Sequence, residues 1–337
     1  MTTTDLTSDQ RPGGLWAALG LVRRVLTAPT VGPFLALLLT MAFFSVRSEN
    51  FLEAQNLSLV LQQVMVVGVL AIGQTLVILT AGIDLSCGTV MAFGQIVMTK
   101  LAVESGVDPI LAILLGMLAC VGFGILNGGL VTAVRLPAFI VTLGTLNIAY
   151  ALTHIYSNDE TYFPLPSELL YFGRTFSLFG AAFTYGVVLM LVLYAVAWFS
   201  LTQTAWGRHV YAVGDDPEAA RLTGIKTGRV LLSVYVVAGL TYGIAGLLLV
   251  SRTELGDPLA GQSTENLDAI TAVVLGGTSL FGGRGTIIGT LIGAIIVGVF
   301  RNGLTLIGVE VIYQYLVTGI LVILAVSVDQ LTHRRRL

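Results

Sequence analysis

Charge is what this sequence has least of. Only 11% of its 337 residues are Asp, Glu, Lys or Arg, against about 25% in a soluble globular domain. Lysine is nearly missing: Lys100 and Lys226 stand against 15 arginines, a bias that points to a GC-rich genome and carries no mechanism. The net charge of −2 excludes the strongly basic surface that nucleic-acid binding needs. Cysteine is equally scarce. Cys87 and Cys120 sit in apolar stretches without metal-ligand spacing, so they read as small buried hydrophobes. His154, His209 and His333 are scattered, so no metal cluster and no nucleophile–base pair can be argued. A phosphate loop of the form G-x-x-x-x-G-K-S/T is also missing. Gly282-Gly283-Arg284-Gly285 is glycine-rich, but it lacks the lysine and follows no strand. The chain is therefore expected to hold no cofactor and to hydrolyse no ATP.

What is abundant is apolar surface: 55% of residues, with a mean hydropathy of +0.89. A run of about 20 apolar residues spans the roughly 30 Å hydrocarbon core at 1.5 Å per residue. Ten apolar segments can be marked, at roughly 29–46, 57–80, 85–103, 109–132, 137–156, 176–200, 228–251, 267–281, 285–305 and 309–328. The 39 glycines fit helices packed closely in lipid. The eighth segment is short, and Gly276, Gly277, Gly282, Gly283 and Gly285 crowd its end, so a broken or re-entrant pair is expected there. Asn127-Gly128 and Asn302-Gly303 both follow glycine-spaced runs, but the other offsets do not hold, so no repeat is assigned. No small-residue cleavage site follows the first run, which reads as a retained span.

Basic residues set the orientation. With the N-terminus inside and ten spans, 12 of the 17 Lys and Arg fall on the cytoplasmic side: Arg11, Arg23, Arg24, Arg135, Arg208, Arg221, Lys226, Arg229, Arg284, Arg334, Arg335 and Arg336. The outer loops are acidic, a character that either faces a docking protein or keeps the loops wet. The expected organisation is a cytoplasmic segment 1–28, a transmembrane domain 29–328, and a basic cytoplasmic tail 329–337. The fold class expected is all-α: a polytopic membrane protein of about ten helices, some broken or short.

One polar interruption stands out. Thr175 to Ser200 and Val230 to Val250 carry no charge, and between them lies the loop Leu201–Arg229. Within it, Asp216-Pro217-Glu218 reads as a helix start: Asp caps free N–H groups, Pro at the first position wastes no donor, and Glu suits the dipole. Gly224 reads as the C-terminal glycine. A two-turn helix, Pro217 to Thr223, is expected, with Ala219 and Ala220 small enough for a partner surface to close in. A merely well-capped loop helix would show the same capping pattern.

The string Glu218-Ala219-Ala220, three residues, then Gly224 resembles the EAA-loop pattern of ATP-binding-cassette permeases. Ala81-Gly82-Ile83-Asp84-Leu85-Ser86-Cys87-Gly88 looks like the GGIDLSVG signature of sugar-type permeases. The stretches Leu136–Thr145, Trp206–Gly214 and Leu267–Gly283 are similar to others in that group. Together the resemblance covers about residues 30 to 330 and points to the ribose/xylose-type monosaccharide permeases. Departures are small: Ala81 for the first glycine, Cys87 for valine, and Asp215-Asp216 where Gly-Asn is commoner. The resemblance implies a coupling helix, carried by Asp216, Pro217, Glu218, Ala219, Ala220, Arg221 and Gly224, set in the cleft of a separate ATPase. It implies that ATP and Mg are bound by that partner, that an extracytoplasmic sugar-binding protein delivers the solute, and that a second permease copy or sibling completes the pore. The location implied is a bacterial cytoplasmic (inner) membrane.

Polar groups within the spans suggest a path. Asp84 is the most conspicuous intramembrane charge. It reads either as an ion-coupling acid or as a cap for a helix starting at Leu85, and the lack of a basic partner in the spans favours the cap. Gln74, Asp84, Gln95, Asn127, Thr142 and Asn302 are the path candidates, although most such groups tie helices together. The competing functions are an ion-coupled secondary transporter, which needs paired intramembrane charges, a nucleoside or branched-chain amino-acid permease, and a non-transporting scaffold or enzyme. The sequence names no particular sugar.

Overall fold

The structure, a computed structural model, describes residues 30–178, 180–260 and 265–334. The expectations for segment 1–28, with Arg11, Arg23 and Arg24, and for Arg335 and Arg336 lie outside the described residues.

Twelve α-helices are present among them. The first five are α1 (Val31–Arg47), α2 (Ala54–Leu79), α3 (Cys87–Val103), α4 (Pro109–Gly129, continued by a π turn, Leu130–Val134) and α5 (Ala138–Ser157). A short antiparallel hairpin follows, β1 (Thr175–Leu178) and β2 (Ala181–Thr184). Then come α6 (Tyr185–Gln203), α7 (Ala205–Asp215), α8 (Pro217–Leu222) and α9 (Thr227–Thr253). The chain closes with α10 (Glu265–Leu275), α11 (Ile287–Leu306) and α12 (Val311–Arg334). Six helices, α2, α4, α5, α6, α9 and α11, are long and apolar enough to cross a membrane, and α1, α3 and the start of α12 are shorter apolar helices. The chain is a multi-pass, helical membrane protein.

Two expectations need correction. The segment 176–200 is not one helix: its first part is the hairpin, turned at Gly180 with φ +79°, and the helix begins only at Tyr185. Ser58 of α2 donates its hydroxyl to the Ala182 carbonyl and fastens the hairpin to the bundle. Apolar composition alone does not separate a strand from a helix in a short run. The polar loop likewise contains two helices, because Ala205–Asp215 is helical as well as the expected short helix.

α2 is the centre of the bundle. It is apolar around its whole circumference and buried around most of it, as a helix enclosed by others must be. α9 crosses it closely: a Cβ at Gly73 would lie 2.4 Å from the Thr241 hydroxyl. α4 approaches α9 the same way, where a Cβ at Gly124 would lie 2.3 Å from the Tyr235 carbonyl oxygen. Such contacts suit lipid, where packing rather than hydrophobic expulsion holds helices together. Exposed Leu118, Ile155 and Phe199 lie on α4, α5 and α6, as expected of faces turned to lipid.

Candidate coupling site

α8 is built as its sequence predicts. The Asp216 carboxylate accepts from the backbone N–H groups of Glu218 and Ala219, both at 2.9 Å. These are two of the donors that a helix start leaves unpaired. Pro217 occupies the first turn. Gly224 lies at φ +91°, the left-handed region that glycine enters without penalty. Its N–H bonds the Arg221 carbonyl, and the next N–H, of Ile225, reaches back to Ala220. Glu218 and Arg221 pair across one turn at 2.6 Å. Hydrogen bonding from Arg221, reinforced by its charge, holds the Glu218 carboxyl below its ordinary range. Both are exposed, so the pair shapes the helix surface more than it stabilises it.

The structure divides the alanine pair. Ala219 is exposed, whereas Ala220 is turned inward and seats the helix on the bundle. Beside them Leu222 is 77% exposed, although it belongs to one of the most apolar residue types. Sequence reading missed it. The signal was available: a leucine in the last turn of a capped, otherwise polar helix.

α7 mounts this helix on the core. Its buried face is Gly207, Val210, Val213 and Gly214, a helical spacing. Trp206 donates its indole N–H to Ser233 of α9 at 2.8 Å. Tyr211 donates its hydroxyl to the Gly285 carbonyl at 2.9 Å, in the glycine loop between α10 and α11. At the far end, Gly214 closes on the last turn of α2, whose Leu79 carbonyl accepts from the Gly283 N–H at 2.9 Å. The end of α7, just before the short helix, therefore meets the end of α2 and the glycine loop at one place.

The profile of a family described as the permease component of the branched-chain amino acid transport system matches residues 56–326. The chain belongs to this permease family. It is a transport subunit and not an enzyme. The fructose import permease FrcC of Rhizobium meliloti is 45% identical over 310 residues, 90% of this chain and 86% of the relative. The ribose import permease RbsC of Bacillus subtilis is 42% identical over 304 residues, covering 89% and 92%. The L-arabinose permease AraH of Azospirillum brasilense is 34% identical over 327 residues, covering 96% and 91%. No solved structure matches the chain.

In this permease, three of the six path candidates meet at the break between α2 and α3. Asp84 is buried, and one carboxylate oxygen accepts from the Ser86 N–H at 2.8 Å and the Ser86 hydroxyl at 2.6 Å. The other oxygen accepts from the Tyr242 hydroxyl at 3.2 Å. Asn127 donates to the Ser86 hydroxyl at 3.2 Å, and Thr142 donates to the Ile83 carbonyl at 3.0 Å. Asn266 adds a bond to the Leu85 carbonyl at 3.1 Å. The helix starts at Cys87 and not at Leu85, so the expected cap is corrected: Ser86 holds the cap position, and Asp84 ties the turn before it. Four helices thus hold this turn, two through its backbone carbonyls and two through the Asp84 and Ser86 side chains, so its polar groups are paired away from water.

The other three candidates lie apart. Gln95 donates to the Asp257 carbonyl at 2.6 Å. Asn302 and Asn56 exchange both amide bonds, at 2.9 and 3.0 Å. Gln74 is fully buried in α2, and neither of its amide atoms has a hydrogen-bond partner among the described residues. The sequence also missed an ion pair between half-buried Arg301 and buried Asp268 at 2.8 Å, which joins α11 to α10.

Proposed function

We propose that this chain is the membrane-spanning subunit of an ATP-driven importer that carries a monosaccharide of the ribose or fructose type. The carrying observation is the exposed, capped helix Pro217–Leu222, which presents Leu222 and follows α7, whose Tyr211 is bonded to the glycine loop that in turn bonds the end of α2. A chain without a phosphate loop has one use for such a lever: a partner ATPase moves it. In this reading Asp216, Pro217, Gly224 and the Glu218–Arg221 pair hold the lever's shape, Ala219 leaves room for the partner, and Ala220 seats it. ATP and Mg belong to the partner, and this chain carries no cofactor.

The remaining architecture follows from the same reading. Ten segments cross the bacterial inner membrane, α10 and the glycine loop forming a short, broken one. The permease domain runs over 29–328, and 1–28 and 329–337 lie in the cytoplasm. A binding protein delivers the sugar to the acidic outer loops, and a second permease, a copy or a sibling, completes the pore. The names of the relatives, ribose, fructose and arabinose permeases, favour a sugar over a nucleoside or a branched-chain amino acid.

The decisive experiment is co-reconstitution of this chain with its ATPase and binding protein, followed by uptake of labelled D-ribose and D-fructose. The expected result is uptake that needs ATP and ignores a protonophore. Uptake by this chain alone, abolished by the protonophore, would establish the ion-coupled reading, which the Arg301–Asp268 pair supplies with the paired charges it requires.

A further inference from the structure

A cavity of about 510 Å3 opens between α2, α9, α10, α11 and α12. Helix direction fixes which end of the bundle it occupies. α2 ends at the coupling site, at Leu79, whereas its contribution to the cavity is Leu59 to Val67. α9 begins beside the short helix and reaches the cavity only at Arg252. α11 leaves the glycine loop at Ile287 and contributes Arg301 and Thr305 near its far end. Gln63 and Leu79 are 16 residues apart on one helix, about 24 Å at 1.5 Å per residue. The cavity therefore lies on the side of the membrane away from the ATPase lever.

Its polar wall is Gln62, Gln63, Arg252, Glu265, Arg301 and Gln314. Most of these are fixed from behind. Gln62 donates through its amide nitrogen to the Ser58 hydroxyl and the Ala182 carbonyl, both at 3.3 Å. Gln314 donates to the Thr305 hydroxyl at 3.2 Å and the Val309 carbonyl at 3.0 Å. Arg252 reaches the Gln63 carbonyl at 3.4 Å, and Asp268 braces Arg301 at 2.8 Å. Because the nitrogens of Gln62 and Gln314 make these bonds, their amide oxygens remain as acceptors. The Gln63 amide forms no hydrogen bond among the described residues. Two guanidinium groups stand against two carboxylates, Glu265 and Asp268, so the formal charge sums to zero. A cluster of this kind suits an uncharged ligand that both donates and accepts, as adjacent hydroxyls do. Val64, Val297 and Gly298 supply an apolar side for the C–H face of a sugar ring. The volume falls within the roughly 300–1,000 Å3 typical of small-molecule sites. None of the six path candidates named from the sequence lines it.

We propose that this cavity is the outer docking site, within one permease subunit, for a neutral polyhydroxylated solute on its way from the binding protein into the membrane. This inference rests on the importer reading and adds where the sugar first meets this chain. Its uncommitted hydrogen-bonding groups are the amides of Gln62, Gln63 and Gln314. They hold the sugar weakly, as a transit site must if it is to release what it receives.

The test is uptake of labelled D-fructose and D-ribose by cells expressing the whole importer. The Q62A/Q63A double variant, at wild-type membrane level, is expected to lower the maximal rate about tenfold, the scale of one or two lost hydrogen bonds. The half-saturating concentration, set by the binding protein, should stay near that of the wild type. The second variant, Gln63→Cys, changes one exposed side chain and so avoids disturbing the core. Cys87 and Cys120 are fully buried, so a membrane-impermeant maleimide should block uptake by Q63C and spare the wild type. An active wild type whose Q62A/Q63A rate is unchanged, or Q63C that transports normally when fully labelled, overturns the cavity alone. A wild-type importer that moves neither sugar overturns the importer reading beneath it.

Discussion

Gly214 lies so close to Leu79 that a Cβ added at position 214 would sit 1.7 Å from the Leu79 carbonyl oxygen. No side chain fits there, and the neighbour is backbone, so relief requires α7 to separate from α2. We expect Gly214→Ala to destabilise the permease by about 1–3 kcal/mol, the usual cost of overpacking. It should also lower the sugar moved per ATP hydrolysed. Thermal unfolding in detergent and a transport-to-hydrolysis ratio measure the two effects; an unchanged ratio would show that this contact does not carry the stroke.

Leu222 predicts where the ATPase grips. Burying a leucine contributes about 1.5–3 kcal/mol, so Leu222→Asp should weaken the complex by about tenfold or more. Co-purification of the ATPase with the tagged permease reads this directly. Leu222→Met should retain the partner. Equal recovery with aspartate would place the contact elsewhere on the loop.

Asp216 predicts a graded effect. Asp216→Ala removes two cap bonds, about 1 kcal/mol of local helix stability, while Asp216→Ser keeps one acceptor and most of the function. Gly224→Glu forces a side chain into φ +91°, and Ala219→Glu places bulk on the exposed face. Both should abolish uptake with membrane insertion intact, as judged by the amount of permease in the membrane fraction. Normal uptake in either would remove the coupling assignment.

Asn56 and Asn302 should be coupled energetically. Asn56→Ala strands the Asn302 amide and Asn302→Ala strands the Asn56 amide oxygen, whose nitrogen keeps the Phe51 carbonyl, each at about 1–3 kcal/mol in a buried site. The double variant should cost less than the two single losses combined. A thermal-unfolding cycle measures this, and strict additivity would show that the pair does no mutual work.

The sequence by itself determined the class, most helix positions and the short capped helix at Pro217–Leu222. Apolar runs long enough for lipid leave little choice of fold, since an isolated chain in hydrocarbon must satisfy its backbone as helix. Asp216, Pro217 and Gly224 act on backbone within a few residues of themselves, so their meaning is local and legible. The hairpin at 175–184 was hidden because a short apolar run has no preferred period. Tertiary structure decided what each polar residue touches. Asp84 met Tyr242 across 158 positions, and Asn302 met Asn56 across 246. Gln62, Arg252, Glu265 and Arg301 come from four separate helices, and only their packing gathers them around one cavity. Sequence order carries no information about such distances, because they are set by how closely glycine lets the helices approach.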